Sequence, residues 1–118
     1  TNIVITRTPG YEAEGALVVS SVDEALQIAR EETARTDAPY IWITGGAQLY
    51  AETLPLLDEA VVTDLELDVA ASAPEGTTFV YAPPLDPALW RQDVERSDAE
   101  WRERSGDARW KVSTWVQR

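Results

Sequence analysis

The chain has 118 residues, 44% of them hydrophobic, and a formal charge of −11 from 21 acidic against 10 basic residues. That length and apolar content suit one domain, residues 1–118, with one core. The lack of histidine and cysteine excludes imidazole and thiolate metal sites, disulfides, Ser-His triads and histidine acid–base catalysis, and the acidic balance disfavours nucleic acid, whose non-specific binding runs on cationic surface.

No apolar run of membrane-spanning length and no signal-peptide pattern occur, so a soluble, cytoplasmic protein with no membrane partner is expected. Methionine is absent as well, and Thr1 and Asn2 lead straight into an apolar run. We therefore expect an N-terminal part of the natural protein to be missing.

Residues 2–6 form a short β-rich run that leaves through Arg7-Thr8-Pro9-Gly10, a Pro-Gly turn. Thr6 and Arg7 then stand at the C-terminal end of a strand. One hydroxyl and one guanidinium fork there suit a phosphate; a solvated strand end is the plainer alternative. Residues 16–20 read as a second strand. Ser21-Val22-Asp23-Glu24 is a capping box that opens a helix reaching about Thr33 or Arg35. Its apolar stripe is Val22, Ala25, Leu26 and Ala29. Residues 36–39 make the return turn.

Residues 40–44, Tyr-Ile-Trp-Ile-Thr, are aromatic and β-branched without polar alternation. The pattern predicts a central strand buried on both faces. Gly45 and Gly46 follow, then a helix over residues 47–54 stopped by Pro55. Two glycines at a strand-to-helix turn let backbone approach a ligand, and the free N–H groups of a helix start favour phosphate. This predicts a pyrophosphate cradle at the C-terminal edge of a parallel sheet; a tight turn in an α/β domain is the alternative.

Residues 60–67 read as a fourth strand. The order β-β-α-β-α-β, with long crossovers, suggests one flank of a doubly wound, mostly parallel sheet. Residues 70–76 are a loose loop, 77–81 a brief extended piece and 82–87 a loop. Residues 109–117 alternate, and with part of 90–104 they predict a C-terminal antiparallel hairpin. Trp90, Trp101, Trp110 and Trp115 could stack bases, but the negative charge favours packing in the core and across strands.

In order and spacing these motifs resemble the C-terminal two-thirds of a bacterial dihydrofolate reductase. Residues 2–7 are similar to that family's strand ending in Ser/Thr-Arg. Residues 21–26 match its Ser-[Val/Leu]-x-Glu-Ala-[Leu/Ile] helix start. Residues 44–50 with Leu54-Pro55 match its Gly-Gly-x-x-[Val/Leu]-Tyr and Leu-Pro signature, and Val61-Val62-Thr63 falls at its [Leu/Val]-Thr. The resemblance implies an α/β fold with a central mixed sheet, mostly parallel and ending in an antiparallel hairpin, flanked by helices and lacking its N-terminal part. It implies NADPH-dependent reduction of 7,8-dihydrofolate to tetrahydrofolate in one-carbon metabolism, with dihydrofolate and antifolate-type molecules as ligands and no metal.

Residue by residue, the resemblance implies that Thr6 and Arg7 hold the 2′-phosphate of NADPH and that Ser20 lies near the adenosine. Gly45 and Gly46 would be joined by a cis peptide. Gly46, Ala47, Gln48 and Leu49 would cradle the pyrophosphate. Thr44 and Tyr50 would flank the nicotinamide, Thr44 through its carbonyl at the substrate side. Thr63 would help to fix the pterin. Three positions depart from the family: Thr44 where Ile is usual, Gln48 for an arginine, and Gly76-Thr77-Thr78 for Gly-Asp-Thr. The family's catalytic carboxylate is expected upstream of Thr1, so no catalytic residue is assigned within the chain; Asp64 and Glu66 read as surface charges. A monomer is expected if the chain is complete, a swapped or oligomeric form if it is truncated. Two alternatives stay open: a non-catalytic NADPH-binding remnant, and a riboflavin-pathway pyrimidine reductase, which Tyr50 and Leu54-Pro55 argue against.

Overall fold

Strands β1 (Ile3–Ile5) and β2 (Leu17–Val19) pair in parallel, with Ile3 opposite Leu17 and Ile5 opposite Val19, in a computed structural model that describes residues 1–118. They belong to the first of two compact units, Thr1–Gly45; the second is Gly46–Arg118. The first unit continues into α1 (Val22–Thr36), which packs on β1. Ser21 caps this helix as expected: its hydroxyl accepts from the Glu24 N–H at 3.2 Å. The Glu24 carboxylate reaches back to the N–H of Ser20 at 3.4 Å, one residue earlier than in a standard capping box. Asp23 and Glu24 in the first turn and Arg35 in the last complement the helix dipole. The helix ends at Asp37, which takes the left-handed conformation with φ 57°. Val19 and Ala25 are the buried apolar residues of this unit.

Residues 40–44 do not form the expected central strand. No strand is hydrogen-bonded to them, and Tyr40, Ile41 and Trp42 are exposed. The Tyr40 and Trp42 rings lie 5.5 Å apart, tilted by 51°. Apolar, β-branched composition favours an extended backbone, but a strand exists only where a neighbour offers its N–H and C=O groups. In this unit β1 and β2 take each other as partners.

The second unit opens with α2 (Ala47–Thr53), followed by a 3-10 turn, Leu54–Leu56, that contains Pro55. Thr53 is fully buried and satisfies its hydroxyl on the Leu49 carbonyl at 2.8 Å. Strand β3 (Glu59–Leu65) leads to a single helical turn, α3 (Val69–Ser72), where a loose loop was expected. The Asp68 carboxylate caps α3 by accepting from the Ala71 N–H at 3.2 Å. Residues 77–81 pair with nothing. Strands β4 (Trp90–Asp93), β5 (Arg102–Ser105) and β6 (Ala108–Gln117) complete a sheet of order β3-β6-β4, with β5 also on β6.

Every pairing in this sheet is antiparallel. The mostly parallel sheet is therefore only partly seen, in β1 and β2. Long crossovers permit parallel pairing but do not impose it; here β3 takes the returning β6 as its neighbour. The expected C-terminal hairpin is β5–β6. It closes through Gly106-Asp107, with Gly106 at φ 62° in the first central position, as a type II′ turn needs.

β6 is central, with strands on both of its edges, and Ala108, Ser113 and Thr114 are its buried residues. Trp90 is buried to 3% exposure. The Arg102 guanidinium lies 4.5 Å from the Trp110 ring, and the Lys111 ammonium 4.9 Å from that of Trp101. Trp115 donates its indole N–H to Ser113 Oγ at 2.9 Å. Trp90 is thus a core residue, and Trp101 and Trp110 each carry a cation over the ring.

Candidate functional site

Because β1 and β2 run parallel, their C-terminal ends lie at one edge. The Thr6 N–H extends the pairing by donating to the Val19 carbonyl at 3.0 Å. Thr6 Oγ1 accepts from the Thr8 N–H at 3.2 Å, a local bond that turns the chain toward Pro9-Gly10. Arg7 is exposed and enters none of the chain's ion pairs. Ser20 follows β2, exposed, and Ser21 opens α1 directly after it. The first unit therefore brings Thr6, Arg7, Ser20 and the N-terminus of α1 to one edge. Arg7 is the only basic residue in these segments. A guanidinium without an internal partner, flanked by hydroxyls and a helix start, is equipped for an anionic oxygen group. Sequence reasoning treated Ser21 only as a cap. A capping box placed directly after a strand also sets the helix start at the strand's end.

Thr44 and Gly45 close the first unit, Thr44 exposed and Gly45 half-buried. Gly45 has φ 103°, a region that side-chain-bearing residues rarely adopt. Gly46 is the N-cap of α2, with no side chain to cap the helix. The Tyr50 N–H closes the first turn on the Gly46 carbonyl at 2.9 Å. The N–H groups of Ala47, Gln48 and Leu49 precede that bond and have no intrahelical acceptor. A Cβ built on Gly46 would meet nothing within 4 Å, so the protein leaves open space beside this backbone. Ala47, Leu49 and Tyr50 are half-buried and Gln48 is exposed. The Gln48 amide N–H donates to Glu52 Oε1 at 3.2 Å, which ties the side chain back along the helix.

Thr63 lies on β3, exposed, opposite Val112 of β6. Asp64 pairs in register with Lys111. Glu66 forms an ion pair with Arg109, and the hydrogen bond from that guanidinium holds its carboxyl below the usual range. A carboxylate kept ionised in this way suits a surface charge and not a proton donor at neutral pH. No helix is long and apolar enough to cross a membrane.

A parallel strand pair followed by a helix in one unit, and a Gly-Gly turn opening a helix before an antiparallel sheet in the other, define an α/β protein. A family model for dihydrofolate reductase matches residues 1–114. The chain belongs to the dihydrofolate reductase family. It is similar to the dihydrofolate reductase of Mycobacterium tuberculosis (strain ATCC 25618 / H37Rv), 34% identical over 106 residues that cover 89% of this chain and 54% of that protein. It is 35% identical to the dihydrofolate reductase of Neisseria gonorrhoeae over 97 residues, 82% of this chain and 51% of the relative. Against dihydrofolate reductase type 3 of Salmonella typhimurium the identity is 40% over 65 residues, 55% of this chain and 36% of the other. The chain thus spans about half the length of the first two relatives.

Proposed function

We propose that this chain serves the NADPH-dependent reduction of 7,8-dihydrofolate to 5,6,7,8-tetrahydrofolate. Membership of the family over residues 1–114 is the observation that carries the reading. Two local features support it: Arg7 without an internal partner beside Thr6, and open space beside the Gly46 backbone. The chemistry of the residues in each unit supports this cofactor: Arg7 and Thr6 suit a phosphate, and the amides that open α2 suit another. Thr6 and Arg7 are assigned to the 2′-phosphate and Ser20 to the adenosine side. Gly45 and Gly46 are assigned to the close backbone approach, with the amides of Gly46, Ala47, Gln48 and Leu49 to the pyrophosphate. Thr44 and Tyr50 are assigned to the nicotinamide and Thr63, with Thr44, to the substrate.

NADPH, when bound, supplies the hydride. The chain's own contribution is to bind and orient. The Arg7 fork matches phosphate oxygens in two bonds, and amides fixed by α2 need no reorganisation when an anion arrives. Holding two rings in register removes an entropic cost from a bimolecular transfer. No residue between 1 and 118 is proposed as the acid that protonates the pterin. Dihydrofolate and antifolate-type molecules are the proposed small-molecule partners, and the cytoplasm is the proposed compartment.

The test has two arms on the purified chain. NADPH binding is followed by quenching of tryptophan fluorescence, and turnover by loss of reduced-nicotinamide absorbance on addition of dihydrofolate. Binding by residues 1–118, with turnover only once a segment carrying the acid is supplied upstream of Thr1, is the outcome this reading expects. Binding without turnover even then would mean a cofactor-binding remnant, and no binding would remove the reading altogether.

A further inference from the structure

We draw no further inference here: the strongest candidate, the unpaired apolar run at residues 40–43 between α1 and the Gly45-Gly46 turn, exposes Tyr40, Ile41 and Trp42, but nothing in the structure shows what covers it.

Discussion

Asp98 and Val112 are joined by two hydrogen bonds: the Asp98 N–H donates to the Val112 carbonyl at 2.8 Å, and the Val112 N–H donates to Asp98 Oδ2 at 2.9 Å. A side chain here supplies the acceptor that a neighbouring strand would otherwise provide. Ser97 does the same one step along, accepting the Thr114 N–H on its hydroxyl at 3.0 Å. Between β4 and β5 the edge of β6 is thus closed by two polar side chains. The Asp98 carboxylate also takes Arg102 Nε at 2.7 Å and Nη2 at 3.1 Å. Asp98→Ala is expected to lower the melting temperature of the second unit more than Asp98→Asn, because asparagine keeps an acceptor for the Val112 N–H. Thermal unfolding of both variants checks the order; equal losses would mean that the ion pair alone matters.

The same carboxylates set an acid limit. Asp98 is held below the usual carboxylate range first by Arg102 and then by the Val112 N–H, and Asp93 first by Arg96. Arg35 is the main cause that brings Glu32 to about 2. A group whose pKa falls on folding stabilises the fold above its unfolded value and loses that contribution as pH falls through the folded one. The contribution of these ion pairs should therefore be lost between about pH 4, near the unfolded carboxylate values, and about 2. An Asp93→Asn, Asp98→Asn double variant should show a shallower decline. An unchanged acid slope in circular dichroism would rule these two groups out as the cause.

Buried apolar residues are few, so each carries much. Trp90 sits at the start of β4 opposite Gln117, buried, with its backbone N–H on the Asp86 carbonyl at 2.8 Å. Trp90→Ala removes a large side chain from the core and should cost about 3–5 kcal/mol. Trp90→Phe keeps an aromatic ring there and should cost less. Urea unfolding of the two variants, read by far-ultraviolet dichroism, measures the difference.

What the sequence made legible was local chemistry. Ser21 and Glu24 marked the start of α1 and Pro55 the end of α2, because each rests on bonds within a few residues. What failed was pairing. Residues 40–44 have the composition of a buried strand and no partner, and β3 lies antiparallel where a parallel strand was expected. Neighbours in a sheet come from distant parts of the chain, and no local pattern names them. Among the candidate residues, Thr6, Arg7 and Ser20 share one edge because β1 and β2 are parallel, a direction that the element order and long crossovers had suggested.

Charge gives a further expectation. Five acidic side chains, Glu32, Glu59, Glu66, Asp93 and Asp98, stand in ion pairs; the net charge is −11. Self-repulsion among the remaining carboxylates should outweigh these exposed pairs, each of which contributes little. Raising KCl shortens the screening length from about 10 Å at 0.1 M to about 3 Å at 1 M. The melting temperature should then rise as KCl is raised over this range. A fall in KCl would show that the five pairs dominate.

Gly45 and Gly46 should separate stability from binding. Gly45 has φ 103°, so Gly45→Ala is strained and should cost roughly 1–2 kcal/mol. Gly46 has an ordinary negative φ and open space around its Cβ position. Gly46→Ala should cost at most about 1 kcal/mol through the N-cap, yet should weaken NADPH, whose pyrophosphate is assigned to that space. Chemical unfolding and fluorescence titration on each variant provide the two readouts. If Gly46→Ala binds NADPH as the parent does, the cradle assignment is wrong.

Arg7 offers the sharpest test of the cofactor reading. It has no ion-pair partner and is exposed, so its removal should leave the melting temperature within the scatter of surface substitutions. If its guanidinium receives the 2′-phosphate, Arg7→Ala should weaken NADPH by about ten- to a hundredfold, the usual worth of a hydrogen bond to a charged group. NADH lacks that phosphate and should be unaffected. Arg7→Lys keeps the charge but loses the fork, and should fall between the two. Raising salt should close the gap between parent and variant for NADPH alone, since only that interaction is ionic. Fluorescence titration of both nucleotides against the three proteins decides the matter. Equal losses for NADPH and NADH would move Arg7 away from the 2′-phosphate, and no loss for either would leave it a solvated residue at the end of β1.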